Sequence, residues 1–242
     1  MKGKLIVIEG LDGSGKSTQL ERLPGLLAQR GIASKTISFP DYDDPSSTLV
    51  RMYLGGEFGG RVDAVNAYAA SIFYAADRYA SYKRHWGAYY EAGGLVLAGR
   101  YVSSNAVHQA AKLPREEWEG YLSWLYDLEY NKTAIPKPDL VLFLDMPPEV
   151  SQRLLAGRYA GDESKKDLHE RDRAYQQHCR EAALFAAAYS GWQVIPCAKE
   201  GRPLPPEEIS AILAEKIQAV LQRPPAEDTQ EDRLRPDKED MQ

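Results

Sequence analysis

Residues 10–17 read Gly-Leu-Asp-Gly-Ser-Gly-Lys-Ser, and no other stretch restricts the chain so much. Every position of G-x-x-x-x-G-K-[ST] is filled. The apolar run Leu-Ile-Val-Ile at 5–8 precedes it, and a helical stretch over 16–30, closed by Gly31, follows. A strand that runs through a glycine-rich turn into a helix aims successive backbone N–H groups at one point. The positive end of the helix dipole adds to them there. The result is a phosphate cradle, and it demands an α/β domain with its first strand inside a sheet. Gly10, Asp12, Gly13, Ser14, Gly15, Lys16, Ser17 and Thr18 form the loop. Lys16 is expected to reach the β- and γ-phosphates of a nucleotide, and the Ser17 hydroxyl to ligate Mg2+.

The rest of the chain alternates in the way such a domain requires. Short apolar runs at 35–39, 95–98, 140–144 and 193–196 predict four more strands. Their lack of polar alternation fits strands buried on both faces. Helices are predicted between them. One is long, capped by Asp63, with Val65, Ile72 and Tyr79 on one stripe. Others are capped by Ser103 or Ser104 and run to 112, cover 115–129, open at Pro147-Pro148, span 168–189, and span 206–221. The fold class is therefore a three-layer α/β/α domain over residues 1–222 around a five-stranded, mostly parallel sheet. Residues 157–167 are polar and glycine-interrupted and read as a lid loop. Residues 223–242 are acidic and nearly free of large apolar side chains, so they read as a disordered tail.

Composition closes other routes. The 242 residues carry a net charge of −5, which argues against a general nucleic-acid binder. Two cysteines, Cys179 and Cys197, make no disulfide framework and fit a reducing, cytoplasmic setting. No apolar run approaches the roughly 20 residues that span a bilayer. His85, His169 and His178 show no metal-ligand spacing.

With Ile8-Glu9-Gly10-Leu11-Asp12 ahead of the lysine, the chain resembles the thymidylate kinases. The further motifs are Phe39-Pro40-Asp41, Ala76-Asp77-Arg78, Arg100-Tyr101-Val102-Ser103-Ser104-Asn105 and the run from Pro138 to Asp145. The resemblance covers residues 3–218. It implies phosphorylation of dTMP to dTDP with ATP and Mg2+, by a homodimer that uses neither nucleic acid nor membrane. It places Asp12 on the deoxyribose 3′-OH, Phe39 at the acceptor, Tyr74 on the thymine ring and Arg78 on a base carbonyl. Arg100 would hold the acceptor phosphate, Asn105 the thymine edge, and His108 would sit near the sugar. Residues 198–201 would form the adenine loop, and Glu9 would organise water around Mg2+. The phosphate loop carries Gly13 where some relatives carry a catalytic arginine, so that cation is expected from the lid: Arg158 first, Arg153 second.

Two departures stand out. The family acid before Arg100 is replaced by Gly99. The arginine that often follows Asp41 is replaced by Tyr42, with Arg51 as a possible substitute. Two other readings stay open. A deoxynucleoside kinase would use Glu9 as the base for a 5′-OH. A nucleotide-binding module with weak catalysis would fit the two departures.

Overall fold

The computed structural model describes residues 2–159 and 173–222. Its centre is a five-stranded sheet of β1 (Lys4–Gly10), β2 (Ser34–Ser38), β3 (Leu95–Gly99), β4 (Leu140–Asp145) and β5 (Gln193–Pro196), in the order β2-β3-β1-β4-β5. All four pairings are parallel. A separate antiparallel hairpin joins β6 (Ala198–Lys199) to β7 (Arg202–Pro203).

The pleat of β1 decides how the layers form. Leu5 and Val7 point to one face, Ile6 and Ile8 to the other, and all four are fully buried. On the Ile6 side lie α1 (Lys16–Gln29) and α9 (Pro206–Leu221), packed through Leu23, Leu27, Leu213 and Ile217. On the Leu5 side lie α3 (Ala67–Ser81), α4 (Gly87–Glu91), α5 (Val102–His108), α6 (Trp118–Tyr126) and α8 (Arg173–Ser190), around Trp86, Tyr101, Tyr121 and Leu122. Two more helices, α2 (Thr48–Leu54) and α7 (Pro148–Tyr159), stand over the carboxyl ends of the strands. The chain order reverses on either side of β1, and a crevice opens there, at the end of β1 that carries the phosphate loop.

Several helix readings are corrected. The cap of α3 is Asn66, whose side chain accepts from Ala69 N at 2.8 Å. Asp63 lies in a preceding turn and pairs with Arg61. Val65 precedes the helix, and Ile72 and Tyr79 are 52% and 41% exposed. The buried stripe of α3 is instead built from small residues, Ala67, Ala70, Ser71 and Ala75. They bring its backbone close to the core. Neither Ser103 nor Ser104 caps α5; both are drawn to Glu9 instead. The predicted 115–129 helix is broken into a 3-10 turn, α6 and a wider π turn over Asp127–Lys132. Residues 157–159 continue α7, while the rest of the predicted lid and the 223–242 tail lie outside the described residues.

Candidate active site

The phosphate loop lies where its spacing predicts, between β1 and α1. Gly13 has φ of 75°, and a Cβ there would come within 2.9 Å of both Ser151 O and Leu155 Cγ in α7. A side chain here would be strained and would require α7 to shift, so the loop as folded favours glycine over arginine. Lys16 Nζ donates to Gly10 O at 2.7 Å and Leu11 O at 2.8 Å, which folds its stem over the loop. Ser14 Oγ is buried in the cradle with no partner among the described residues. A buried hydroxyl in that state suits a site that receives phosphate oxygens. The donor set is therefore consistent with a nucleotide phosphate, and the Ser17 hydroxyl at the same loop is a group that could hold Mg2+.

Glu9 differs from its expected role. It is fully buried. Its carboxylate accepts from Gly10 N at 3.0 Å and from the Ser103 and Ser104 hydroxyls at 2.7 Å each. It fastens the start of α5 to the end of β1, and it lines neither of the two cavities described below. Asp145, another carboxylate at a strand end, is taken by a two-pronged pair with Arg180 at 2.9 Å on each oxygen.

Two cavities meet at the end of β1. The first, of about 440 Å3, is walled by loop residues 12–19, by Leu154 and Leu155 of α7, and by Leu204 and Ile209. Pro203 of the β6–β7 hairpin borders it, while residues 198–201, expected as the adenine loop, are not among its lining residues. The second is a cleft lined by Asp12, Phe39, Tyr74, Asn105 and His108, together with Tyr42, Leu54 and Gln109. Arg100 lines both. It sits directly after β3 with φ of 65°, a left-handed conformation that costs a residue with a Cβ about 1–2 kcal/mol. Its guanidinium donates to Asp12 Oδ1 and to His108 Nε2, the latter at 2.9 Å. Burial alone would weaken this charge, but the carboxylates of Asp12 and Glu9 outweigh burial and raise the pKa above its ordinary value.

The cleft is braced from behind. Tyr74 meets Tyr53 edge to face at 6.4 Å. Lys112 Nζ donates to Tyr53 Oη at 2.7 Å and to Val65 O at 3.0 Å, which ties α2 to the turn after α5. Burial pulls the Lys112 pKa down to about 8. Asp77, beside Arg78 in the sequence, accepts from Asp41 N and from the Ser46 hydroxyl, so this motif acid anchors the Phe39-Pro40-Asp41 loop.

Arg78 is not on the cleft wall. It is buried, and its guanidinium embraces Glu129 and reaches Tyr101 O at 3.3 Å. Arg153 is likewise turned away, with its guanidinium on Gly201 O of the β6–β7 turn. Arg158 has its backbone in α7, but its side chain lies outside what the structure describes. Arg51 does not supply the arginine missing at Tyr42, because its guanidinium closes the 42–48 loop through Tyr42 O, Ser47 Oγ and Thr48 Oγ1. At Gly99, a Cβ would come within 2.2 Å of Leu20 Cδ1. The space next to the Cα of Gly99 is taken by the end of the Leu20 side chain of α1, which would have to move for an acid to fit.

Sequence reading missed Leu54, Tyr42 and Gln109 as cleft residues. Gln109 carried a usable signal: it lies four residues after Asn105, on the same helical face. It is buried, with Oε1 lacking a partner among the described residues.

A phosphate loop at the switch point of a parallel sheet, with an arginine shared between the loop cavity and an aromatic-walled cleft, defines a P-loop phosphotransferase. The thymidylate kinase family model matches residues 8–202. Thymidylate kinase from Mycobacterium tuberculosis is 33% identical over 197 residues, covering 78% of this chain and 87% of its own. A probable thymidylate kinase from Pyrobaculum aerophilum is 30% identical over 222 residues, covering 89% and 97%. The solved structure of thymidylate kinase from Candida albicans superposes with a TM-score of 0.65 at 23% identity, over 90% of this chain and 92% of that one. The chain belongs to the thymidylate kinase family.

Proposed function

We propose that the chain transfers the γ-phosphoryl group of ATP to dTMP, giving ADP and dTDP, with ATP over the phosphate loop and dTMP in the Tyr74 cleft. The observation that carries this reading is Arg100, whose side chain reaches both sites. A cation there contacts the acceptor phosphate on one side and faces the transferred group on the other. The acceptor phosphate is already an anion, so its oxygen attacks the γ-phosphorus without a strong base while the bond to ADP breaks. That suits a site whose buried Glu9 is occupied in holding α5. Mg2+, held at Ser17, would offset charge on the ATP phosphates. Lys16 would leave the loop carbonyls for the β- and γ-phosphates. Tyr74 and Phe39 offer faces to the base, and Asn105 an amide to its edge. Gly13 and the orientation of Arg153 leave Arg158 as the arginine for the transition-state charge.

A coupled ADP-release assay with dTMP, dUMP, dCMP and thymidine as acceptors tests the assignment. Turnover is expected with dTMP and none with thymidine; turnover with thymidine alone would move the chain to the deoxynucleoside kinases. Slower turnover in Arg158→Ala at unchanged ATP affinity checks the arginine.

The homodimer is proposed through the exposed face of α3, where Tyr68, Ile72 and Tyr79 lie on one side and Tyr68 packs on Trp124 of α6. Sedimentation of wild type against Ile72→Glu checks it. No helix among the described residues is long and apolar enough to cross a membrane. Two free, buried cysteines support a cytoplasmic setting.

A further inference from the structure

Arg100 does not stand by itself. Its guanidinium donates to His108 Nε2 at 2.9 Å. An arginine can only donate, so Nε2 must carry a lone pair and the ring proton must sit on Nδ1. Nδ1 lies 3.5 Å from Cys179 Sγ, and the His108 carbonyl accepts from the Tyr175 hydroxyl. Tyr175 and Cys179 are one helical turn apart in the first half of α8. Burial raises the Cys179 pKa well above the ordinary thiol value, so the sulfur stays protonated and faces the imidazole as a neutral group. A chain of contacts thus runs from α8 through His108 to Arg100 and on to Asp12 in the phosphate loop.

We infer that His108, in its neutral form, is a positioning residue that couples α8 to Arg100 and sets the reach of the guanidinium toward the acceptor phosphate. The inference rests on the reading of Arg100 as the acceptor-phosphate cation. Among the described residues, the charged and titratable groups around this contact are Arg100, Asp12, Glu9, Tyr42, Tyr74, Tyr175, Cys179 and Lys112. Asp12 and Glu9 are the carboxylates among them: Arg100 bonds Asp12, and Glu9 is held by Gly10 N and the Ser103 and Ser104 hydroxyls. Protonating His108 removes the acceptor at Nε2 and sets two cations against each other, so Arg100 must turn away. Protonation of His108 therefore weakens acceptor binding.

His108→Gln keeps an acceptor of similar reach that does not titrate. His108→Phe keeps the ring shape and removes the acceptor. For His108→Phe, KM for dTMP is expected to rise about tenfold while KM for ATP stays within about twofold, the loss typical of one charge-assisted hydrogen bond. The same substitution in an Arg100→Ala background is expected to add nothing to KM for dTMP, because the group it positions is gone. Rates from about pH 5 to about pH 8 separate the histidine from the titrating phosphate of dTMP, which is common to all variants. Wild type is expected to lose acceptor affinity on the acid side more steeply than His108→Gln.

Parallel profiles for wild type and His108→Gln would overturn the inference, as would equal effects of His108→Phe on both substrates. Should His108→Phe fail to fold, the comparison with His108→Gln decides alone. A wild type that makes no dTDP at any pH overturns the kinase reading. A wild type that makes dTDP, with a profile that His108→Gln leaves unchanged, overturns only the coupling.

Discussion

Glu129→Ala puts a number on the displacement of Arg78 from the cleft. The two side chains are 1% and 0% exposed, and 51 residues of sequence separate them. Arg78 Nε lies 3.1 and 3.2 Å from the two Glu129 oxygens, and Nη2 closes on Oε1. Burial opposes the Arg78 charge, and the Glu129 carboxylate more than restores it, so the guanidinium stays protonated. Removing the carboxylate leaves a buried cation with one long bond to Tyr101 O. Breaking one half of a buried pair in this way costs about 3–5 kcal/mol. At about 2–4 °C per kcal/mol for a domain of this size, Tm should fall by about 10 °C. Arg78→Ala should cost a similar amount, because Glu129 is stranded in turn. Arg78→Met with Glu129→Leu should cost far less than the sum, since two apolar side chains leave no buried charge. Thermal unfolding followed by circular dichroism, with urea melts for the free energies, measures all three. A Glu129→Ala variant within about 1 kcal/mol of wild type would refute the reasoning. So would an Arg78→Ala variant of normal stability with a raised KM for dTMP alone, which would return Arg78 to the thymine ring.

Further outcomes follow from the same geometry. Lys16→Ala should lower kcat at least about a hundredfold, equivalent to about 3 kcal/mol of transition-state charge stabilisation; rates within a few-fold of wild type in the ADP assay would remove the phosphate-loop assignment. Gly99→Asp alone should destabilise the fold by about 1–3 kcal/mol, because its Cβ meets Leu20. Adding Leu20→Ala should restore stability, and a Mg2+ titration of the double variant then shows whether an acid at 99 serves catalysis. Burial holds the Lys112 pKa down at about 8, well below the roughly 10.4 of a free lysine. The unfolded chain therefore holds its proton over the interval between, and stability should rise with pH there by up to about 3 kcal/mol. Lys112→Met removes that rise, and urea midpoints compared at about pH 7 and about pH 10 check it.

Much of the site is local in sequence and could be read from it. The phosphate loop is one continuous octapeptide, and its spacing gives the backbone turn and the lysine together. Arg100, Asn105 and His108 follow a strand at helical spacing, and Phe39 ends another, so their arrival in one cleft follows from a parallel sheet with its loops at one end. Runs such as Leu5 to Ile8 carry no polar alternation and can only be strands buried on both faces. The end of α9 at residue 221 and the strand at 193–196 are equally legible, since proline and polar residues bound them.

The remainder depended on partners that no local pattern names. Arg78 has the spacing of a cleft residue, and a glutamate brought in on a π turn takes it. Ser103 and Ser104 have the composition of helix caps, but a buried carboxylate at the end of β1 outcompetes the cap, since leaving Glu9 unbonded would cost more than an uncapped turn. Ile72 and Tyr79 look like a core stripe, yet the alanines and serine of α3 pack inward because only small side chains let that helix approach its neighbours. Gly99 shows in sequence only that an acid is missing; the fold shows that Leu20 fills its place. Sequence by itself determined the elements that close on their own backbone: the phosphate loop and the strands. Tertiary structure decided which charges meet, because a buried ion pair or a filled space is set by how the crossovers lay one segment over another, and those segments lie tens of residues apart.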